Sequence, residues 1–335
     1  MRLYWIALLA LAGFAGGCAR RDPPRPGEQT SGLFLIRQNG RWGFVDSRGN
    51  VKIAPQFEQA APFSDGLAVV SIGGRAGYID TSGRVAINPQ FASGSPFSEG
   101  LAAVRAGNAW GFIDKHGKMV IPAQFQNPTP APLEFSEGLC AVASTQGAPV
   151  GFIDKSGKMA IAPQFAYALP YSGGLALVGM GGRYGYIDHS GKLVINPQFD
   201  DASSFFEDRA AVRFGNRWGY IDRSGKLVVN PQFDSARAFS DGLAMVTVGG
   251  RIGFIDKSGK MIVNPRFDSA RDFSDGRAAV RVGNRWGYID KSGNLAINPQ
   301  FDNARPFSLD LAPVEIGPGW GYVNREGKFI WNPTV

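Results

Sequence analysis

The stretch GRAAVRVGNRWGYIDKSGNLAINPQFDNA, residues 276–304, decides the fold of this chain. It contains three short apolar runs that are separated by two turn signals. Gly283-Asn284 supplies the positive φ angles of a tight hairpin, so we predict an antiparallel pair of strands around it. In the second turn, Asp-x-Ser-Gly, the aspartate can accept hydrogen bonds from the following backbone, and the glycine can take the left-handed conformation. The stretch is therefore predicted to be a three-stranded meander that stops at Pro-Gln-Phe.

The same pattern recurs nine times along the chain. Its most regular element is the glycine before an aromatic residue, which returns every 34 residues with a single spacing of 40 between Gly111 and Gly151. Four of the six extra residues fall in QNPTPAPLEFSEG and two in STQGAPVG, both in predicted loops. An insertion inside a strand would turn the later side chains to the wrong face, so this placement supports the strand assignment.

No single unit of this size can bury a sufficient core, so stability is expected to come from contacts between neighbouring units. The array contains nine whole units in one phase, without a unit shared between the termini, and each unit is shorter than a four-stranded propeller blade. We therefore predict an all-β fold of tandem three-stranded antiparallel meander repeats that stack into an elongated superhelix, or solenoid. A closed, propeller-like ring is the alternative.

The N-terminal region indicates export. An uncharged apolar run follows Arg2 and is too short to cross a bilayer, so residues 1–17 are predicted to be a signal peptide. Ala15-Gly16-Gly17-Cys18 resembles the lipobox of bacterial lipoproteins, in which the cysteine is acylated. The resemblance implies lipidation of Cys18. The following residues lack large apolar side chains, so 18–31 is predicted to be a Pro-rich tether, and the nine repeats are predicted to span 32–335. The resemblance also implies a lipid-anchored protein of the cell envelope, most consistent with the outer membrane, facing the periplasm or the cell surface. An ordinary secretory signal with an incidental cysteine is the alternative.

The repeat unit resembles the WG, or KWG, repeat of bacterial proteins. Five units carry the tryptophan-glycine pair that defines it, at Trp42-Gly43, Trp110-Gly111, Trp218-Gly219, Trp286-Gly287 and Trp320-Gly321. The other four units have Ala76, Val150, Tyr184 and Ile252 before the glycine. The tryptophan is thus not an essential chemical group of every unit. The resemblance implies a binding or scaffold repeat.

Two aromatic rows have alternative interpretations. The tryptophans could form an exposed ladder for sugar rings, but their replacement by core residues favours packing between units. The phenylalanine of Pro-Gln-Phe is predicted to form the core between units, at Phe57, Phe91, Phe125, Phe165, Phe199, Phe233, Phe267 and Phe301.

The charged rows are weighed in the same way. One aspartate per unit is followed by serine and glycine, which favours turn closure over calcium binding or catalysis, since those require denser oxygen sets or paired carboxyls. The turn cations would form a stripe along an elongated body, either a solvated rim or a polyanion-binding surface. The stripe consists of Lys118, Lys158, Lys192, Lys226 and Lys260. A second row of cations follows the hairpins, at Arg41, Arg75, Arg183, Arg217, Arg251 and Arg285.

Residue types for common active sites are scarce. The chain has 2 His and 2 Cys. His116 and His189 occupy variable turn positions, so we predict that both lie at the surface. Cys140 replaces alanine on a predicted strand, so we predict a buried, unreactive thiol. We predict no catalytic residue, no bound metal and no cofactor.

We thus expect a lipid-anchored envelope protein whose repeats form a non-catalytic binding or scaffold surface for a protein or an anionic glycan. The net charge of +7 is compatible with anionic envelope polymers, and nucleic acid is not an expected partner of an exported protein. The alternatives are a glycan-processing enzyme that uses acidic residues in a closed β-ring, and a passive envelope spacer.

Overall fold

The computed structural model describes residues 31–127 and 133–334, in which every regular element is a β-strand. The strands of these ranges form nine antiparallel sheets, one per repeat, and sequential strands are neighbours in each sheet. The all-β class is as predicted. No helix in the described ranges could cross a membrane. The predicted signal peptide (1–17), Cys18 and most of the tether lie outside the described residues.

Seven of the nine sheets have four strands, because a short strand precedes the predicted three-stranded meander. These first strands are β4 (Gln59–Ala60), β8 (Ser93–Gly94), β15 (Tyr167–Ala168), β19 (Asp201–Ala202), β23 (Ser235–Ser240), β27 (Ser269–Ala270) and β31 (Asn303–Ala304). The second strands are β1 (Phe34–Gln38), β5 (Leu67–Ile72), β9 (Ala102–Ala106), β12 (Leu139–Ala143), β16 (Ala176–Met180), β20 (Ala210–Phe214), β24 (Leu243–Val248), β28 (Ala278–Val282) and β32 (Ala312–Ile316).

The third strands carry the glycine that defines the repeat. They are β2 (Arg41–Val45), β6 (Arg75–Asp80), β10 (Ala109–Ile113), β13 (Val150–Asp154), β17 (Arg183–Ile187), β21 (Arg217–Ile221), β25 (Arg251–Asp256), β29 (Arg285–Ile289) and β33 (Gly319–Val323). The fourth strands are β3 (Val51–Phe57), β7 (Val85–Phe91), β11 (Met119–Phe125), β14 (Met159–Phe165), β18 (Leu193–Phe199), β22 (Leu227–Phe233), β26 (Met261–Phe267), β30 (Leu295–Phe301) and β34 (Phe329–Thr334).

The nine sheets close into a ring, because the first sheet packs against the last. The Tyr322 hydroxyl donates a 2.8 Å hydrogen bond to the Leu35 carbonyl, and the Thr334 hydroxyl donates one of 2.7 Å to the Arg37 carbonyl. Phe34 and Ile36 share a buried cluster with Leu311 of the last sheet. The protein is therefore a nine-bladed β-propeller.

The predicted solenoid is wrong, and the closed ring that stood as the alternative is the observed fold. The prediction relied on the absence of a strand shared between the termini and on units shorter than a four-stranded blade, whereas seven of the nine units have four strands. In the described residues the ring closes without a shared strand: side-chain packing and hydrogen bonds join blades one and nine. A ring can therefore close from whole repeats, without a blade shared between the termini, when blades one and nine pack like the other neighbouring blades.

The hydrophobic core is divided among the interfaces between blades, as the repeat pattern predicts. One cluster combines Tyr78 and Phe91 of blade two with Phe97 and Val104 of blade three, and equivalent clusters follow around the ring. The phenylalanines of Pro-Gln-Phe are all buried, at most 9% exposed. Their predicted role in the core between repeats is confirmed.

The fourth strand does not stop before Pro-Gln-Phe as predicted; it continues through it in a bulge. In blade six Trp218 pairs with Phe233 and Tyr220 pairs with Val229, so the fourth strand inserts two extra residues. Proline is tolerated there because a bulge leaves its position without a ladder hydrogen bond. The bulged backbone crosses Gly219, where an added Cβ would lie 2.4 Å from the Val229 carbonyl oxygen. This close approach explains why glycine persists in all nine repeats while tryptophan does not.

Candidate binding faces

The meander places its connections at two opposite ends of the strands, which gives the ring two faces. The turn face carries the Asp-x-Ser-Gly turns between third and fourth strands, together with the turns between first and second strands. The hairpin face carries the hairpins between second and third strands and the link from each fourth strand to the next blade. Cations occur on both faces, but they differ in whether they form ion pairs with neighbouring acids.

On the turn face, each repeat aspartate closes its own turn, as predicted. In blade six the Asp222 Oδ1 atom accepts hydrogen bonds from the Ser224 and Lys226 backbone amides at 2.9 and 3.1 Å, and from the Ser224 hydroxyl at 2.6 Å. The Ser224 hydroxyl and these amides hold the pKa of Asp222 below its usual range. The corresponding asparagine of blade nine, Asn324, accepts the same two backbone bonds without a charge. The row is thus a set of turn-closing groups.

The five lysines of the predicted stripe follow these turns in five consecutive blades, three to seven. Because the repeats close into a ring, they form an arc on the turn face and not a line along a rod. All five residues are exposed, and within the described ranges no ion pair involves them. We call this set the lysine arc; it consists of Lys118, Lys158, Lys192, Lys226 and Lys260.

The neighbouring turn cations are used differently, because several pair with acids of the preceding blade. Lys155 Nζ lies 3.0 Å from Glu99 Oε2, and Lys257 Nζ lies 3.1 Å from Glu207 Oε2. Burial raises the pKa of Glu99, but the hydrogen bonds from Lys155 and the Gly138 amide outweigh it, so the pKa is lowered. These cations are therefore ion-paired. The lysines of the arc form no ion pair in the described residues, although Lys158, Lys192 and Lys260 interact electrostatically with the turn aspartates Asp154, Asp188 and Asp256.

A row of contacts that was not predicted from the sequence joins the turns between first and second strands. Glu99 has a positive φ of 54°, and its carboxylate accepts the backbone amides of Glu137 and Gly138 in the next blade at 2.6 and 3.0 Å. The preceding Ser98 hydroxyl donates to the Phe135 carbonyl at 2.7 Å. The recurring Ser-acid-Gly triplet was the available signal. Equivalent carboxylate contacts to the next blade are made by Asp65, Glu137, Glu207, Asp241 and Asp275.

The hairpin face holds the second row of arginines, most of which form ion pairs. Arg183 pairs with Asp200, the residue after Pro-Gln-Phe, and the other oxygen of Asp200 accepts the Gly215 amide of the next hairpin. The same arrangement repeats around the ring, so these arginines and acids link adjacent blades. The further pairs are Arg41–Glu58, Arg217–Asp234, Arg251–Asp268 and Arg285–Asp302.

The tryptophans are half-buried. They are therefore neither a fully exposed ladder for sugar rings nor fully buried packing residues between units. Trp218 packs at the margin of the core between blades six and seven, while the Arg213 guanidinium lies 5.9 Å from its ring centroid. Arg213 is the cross-strand partner of Trp218 in the hairpin. In blade nine, Arg305 lies 4.3 Å from the ring centroid of Trp320. Tryptophan thus packs with one part of its surface and supports an arginine with another.

The remaining candidates are not brought together into a reactive centre. His116 and His189 are exposed, as predicted, and His189 Nε2 lies 3.3 Å from Glu137 Oε2. Cys140 is buried, and burial raises the pKa of its thiol far above the usual value. No cluster of three or more potential metal ligands occurs in the described part of the chain. Of the divergent loop, STQGAP (144–149) connects β12 to β13 as expected, whereas residues 128–132 lie outside the described residues.

Comparison with known proteins identifies the repeat. The family model described as WG containing repeat matches eight segments, at residues 42–75, 77–108, 110–143, 151–184, 184–218, 218–251, 252–286 and 286–317. No curated protein matches the chain.

The likeness to an initiation factor supports the fold alone, and the two further structures carry no argument. A eukaryotic initiation factor superposes with a TM-score of 0.64 at 13% identity, covering 91% of this chain and 96% of that one. A dihydro-heme d1 dehydrogenase has a TM-score of 0.48 at 15% identity, covering 84% of this chain and 76% of its own. The virginiamycin B lyase from Staphylococcus aureus has a TM-score of 0.37 at 14% identity, covering 70% and 91%. At these identities no activity is transferred to this chain.

Proposed function

Since the chain belongs to the family of WG containing repeats and closes into a propeller, we propose that it is a non-catalytic binding scaffold of the cell envelope whose turn face binds an anionic glycan. The lysine arc is the observation that carries this proposal. It places five exposed cations, one per blade, on neighbouring parts of one face. Regularly spaced cations suit a polymer with regularly spaced charges, because each blade adds one more contact of the same kind.

The ion pairing of the hairpin-face arginines supports the choice of the turn face as the binding face. There, arginines of the second row are engaged by acids that follow Pro-Gln-Phe. A polymer that runs along that face from blade to blade would have to displace several ion pairs that join the blades. The lysine arc carries no such structural duty in the described residues.

Supporting evidence for a non-catalytic role comes from the use of the acids. The turn aspartates accept backbone amides, the acids at positive φ hold the next blade, and the acids of the hairpin face pair with arginine. A glycosidase of the usual kind needs two carboxyl groups that are free to act on the substrate. The closed ring does match the architecture of the enzymatic alternative. Cleavage of peptidoglycan or an envelope polysaccharide that is abolished by one Asp or Glu substitution would favour that alternative.

A retention experiment tests the proposal. The soluble body, residues 31–335, is immobilised and exposed to envelope extracts, before and after the extract is treated to remove protein. We expect retention of anionic polysaccharide from both extracts, at low salt more than at high salt. Retention of a protein alone would assign the turn face to a protein partner, and retention of neither would contradict the binding proposal.

The anchor belongs to the proposal and has its own test. The N-terminal sequence motivates lipidation at Cys18 and an envelope location. Cys18→Ser should abolish labelling of the full-length protein by a fatty acid in bacterial cells. Unchanged labelling would reject lipidation at this residue while leaving glycan binding open.

A further inference from the structure

We propose that the groove between blades seven and eight is a specific site for a phosphate group, distinct from the lysine arc. The groove is open, has a volume of about 550 Å³ and is lined by three arginines, Arg251, Arg266 and Arg281, with Asp268 as its one acidic residue. This volume is in the range of sites for small molecules. The inference rests on the proposed function in one respect: a glycan bound to the propeller could carry the phosphate group.

Arg266 is the first feature that singles out this groove. In the other repeats that contain the Pro-Gln-Phe pattern, the equivalent residue is glutamine, as in Gln232 and Gln300. Arg266 lies over the Phe267 ring, 5.0 Å from its centroid, and its guanidinium donates to the Gly293 carbonyl of blade eight. These contacts fix the guanidinium in the groove while leaving other N–H donors available, since one guanidinium has five.

Arg281 is the second feature, because its charge is not compensated by the protein. Its Nε atom is buried and has no hydrogen-bond partner, and no ion pair of Arg281 occurs in the described residues. The equivalent arginine of blade six, Arg213, donates to the Gly215 and Asp200 carbonyls and lies 3.9 Å from Asp201 Oδ2. Blade eight has Ser269 in place of Asp201. The terminal nitrogens of Arg281 likewise make no hydrogen bond or ion pair in the described residues, and they are the donors that a ligand in the groove can use.

The hairpin glycine supplies a third feature. In three equivalent interfaces the acid after Pro-Gln-Phe accepts the amide of the hairpin glycine, namely Gly215, Gly249 and Gly317. Gly283 lines the groove, and in the described structure Asp268 does not accept its amide, although Asp268 does pair with Arg251. The Gly283 N–H therefore adds a backbone donor to the three guanidinium groups.

Together these features favour a compact oxyanion. Guanidinium groups and backbone amides bind phosphate oxygens through parallel, charge-assisted hydrogen bonds. The groove between blades two and three also has an excess of positive charge, from Arg75 and Arg105 with Ala92 in place of the acid, but Gln90 stands at the position of Arg266 and Arg105 is exposed. The groove between blades seven and eight thus combines three cations, and the guanidinium of one of them, Arg281, makes no hydrogen bond or ion pair in the described residues.

Calorimetric titration with inorganic phosphate and with glucose 6-phosphate tests the site, in buffer of low ionic strength and with glucose as the uncharged control. The decisive variants copy residues of sister repeats, so that the blade keeps a natural composition: Arg266→Gln follows Gln232, and Arg281→Thr follows Thr247. Each should weaken binding about tenfold, the equivalent of about 1.4 kcal/mol for a lost hydrogen bond between charged groups. Arg213→Thr removes the same charge from blade six and should leave the affinity unchanged.

The outcomes separate the possible sources of phosphate. Binding of both ligands supports a site for a sugar-borne phosphate, and binding of inorganic phosphate alone supports a site for the free ion. Binding of neither at tens of millimolar, or an equal loss in Arg213→Thr, overturns the inference. Thermal unfolding checks that the variants fold, and Arg266→Gln, which is on an exposed residue, decides the matter if Arg281→Thr is unstable. Failure of phosphate binding leaves polysaccharide binding by the lysine arc untouched, and the reverse also holds.

Discussion

Replacement of Gly219 by alanine tests why the repeat keeps its glycine. The added Cβ would lie 2.4 Å from the Val229 carbonyl oxygen and 2.8 Å from the Pro231 nitrogen, whereas ordinary contacts begin near 3.4 Å. Both atoms belong to backbone, so no side chain can rotate away, and the fourth strand would have to move by about 1 Å. Val229 is part of the buried core between blades six and seven, so this movement would also disturb the interface.

The expected cost of Gly219→Ala is about 2–3 kcal/mol, in the upper part of the range for overpacked sites. The matched variant is Trp218→Ile, which copies Ile252 of the next blade. It changes the side-chain volume far more than Gly219→Ala does, because an indole is replaced by an aliphatic side chain. Trp218 is half-buried and its main specific contact is the Arg213 guanidinium, so we expect a cost of about 1 kcal/mol. Urea unfolding followed by fluorescence or circular dichroism gives both values. The explanation fails if Gly219→Ala costs less than Trp218→Ile, or if its stability equals that of the wild type.

Three further predictions concern closure, pH and the thiol. Tyr322→Phe removes the hydrogen bond to the Leu35 carbonyl that closes the ring and should lower the free energy of unfolding in urea by about 1 kcal/mol. Tyr288→Phe removes the equivalent bond to Arg305 within the ring and should have the same cost. If the ring is open in solution, only Tyr288→Phe will lose stability. Because folding lowers the pKa of Asp222, its charge stabilises the native state above pH about 4, and this contribution disappears as the pH falls through the folded pKa. The wild type should therefore have a higher Tm than Asp222→Asn at pH 7, with a difference that shrinks in acid; a constant difference would contradict this linkage. Cys140 should resist alkylation in the native protein and react fully in urea, and rapid native labelling would show that the interface around it opens.

Residue patterns within one repeat were sufficient to predict the second and third strands, the start of the fourth, the turns and the core phenylalanines. Asp222 and its equivalents close turns because their chemistry is local, and sequence shows local chemistry directly. Ring closure could not be predicted in this way. It depends on a small rotation between neighbouring blades, which side chains at the interfaces set and which the 34-residue period does not encode.

Some features of the candidate sites were also beyond the sequence pattern. A first strand of two residues, such as Asp201–Ala202, is too short to show alternation. The bulge opposite Gly219 became apparent only from the strand register, although the persistence of glycine was a signal of a close backbone approach. The pairing of Arg213 with Trp218 follows from the hairpin register, although it was not among the predictions. The groove of Arg251, Arg266 and Arg281 combines residues of two blades and therefore required the fold.

Binding of an anionic polysaccharide to the lysine arc tests the central claim most directly. The affinity of residues 31–335 for polygalacturonate is measured by calorimetry for the wild type and for Lys192→Asn/Lys226→Asn, which copies Asn294 of the same turn position. Arg183→Ala/Arg217→Ala removes the same charge from the hairpin face and copies Ala109. The account predicts that binding weakens at least tenfold in the lysine variant and much less in the arginine variant, after both are confirmed to be folded. Equal weakening in both variants, or unchanged affinity in the lysine variant, would contradict a binding role for the turn face.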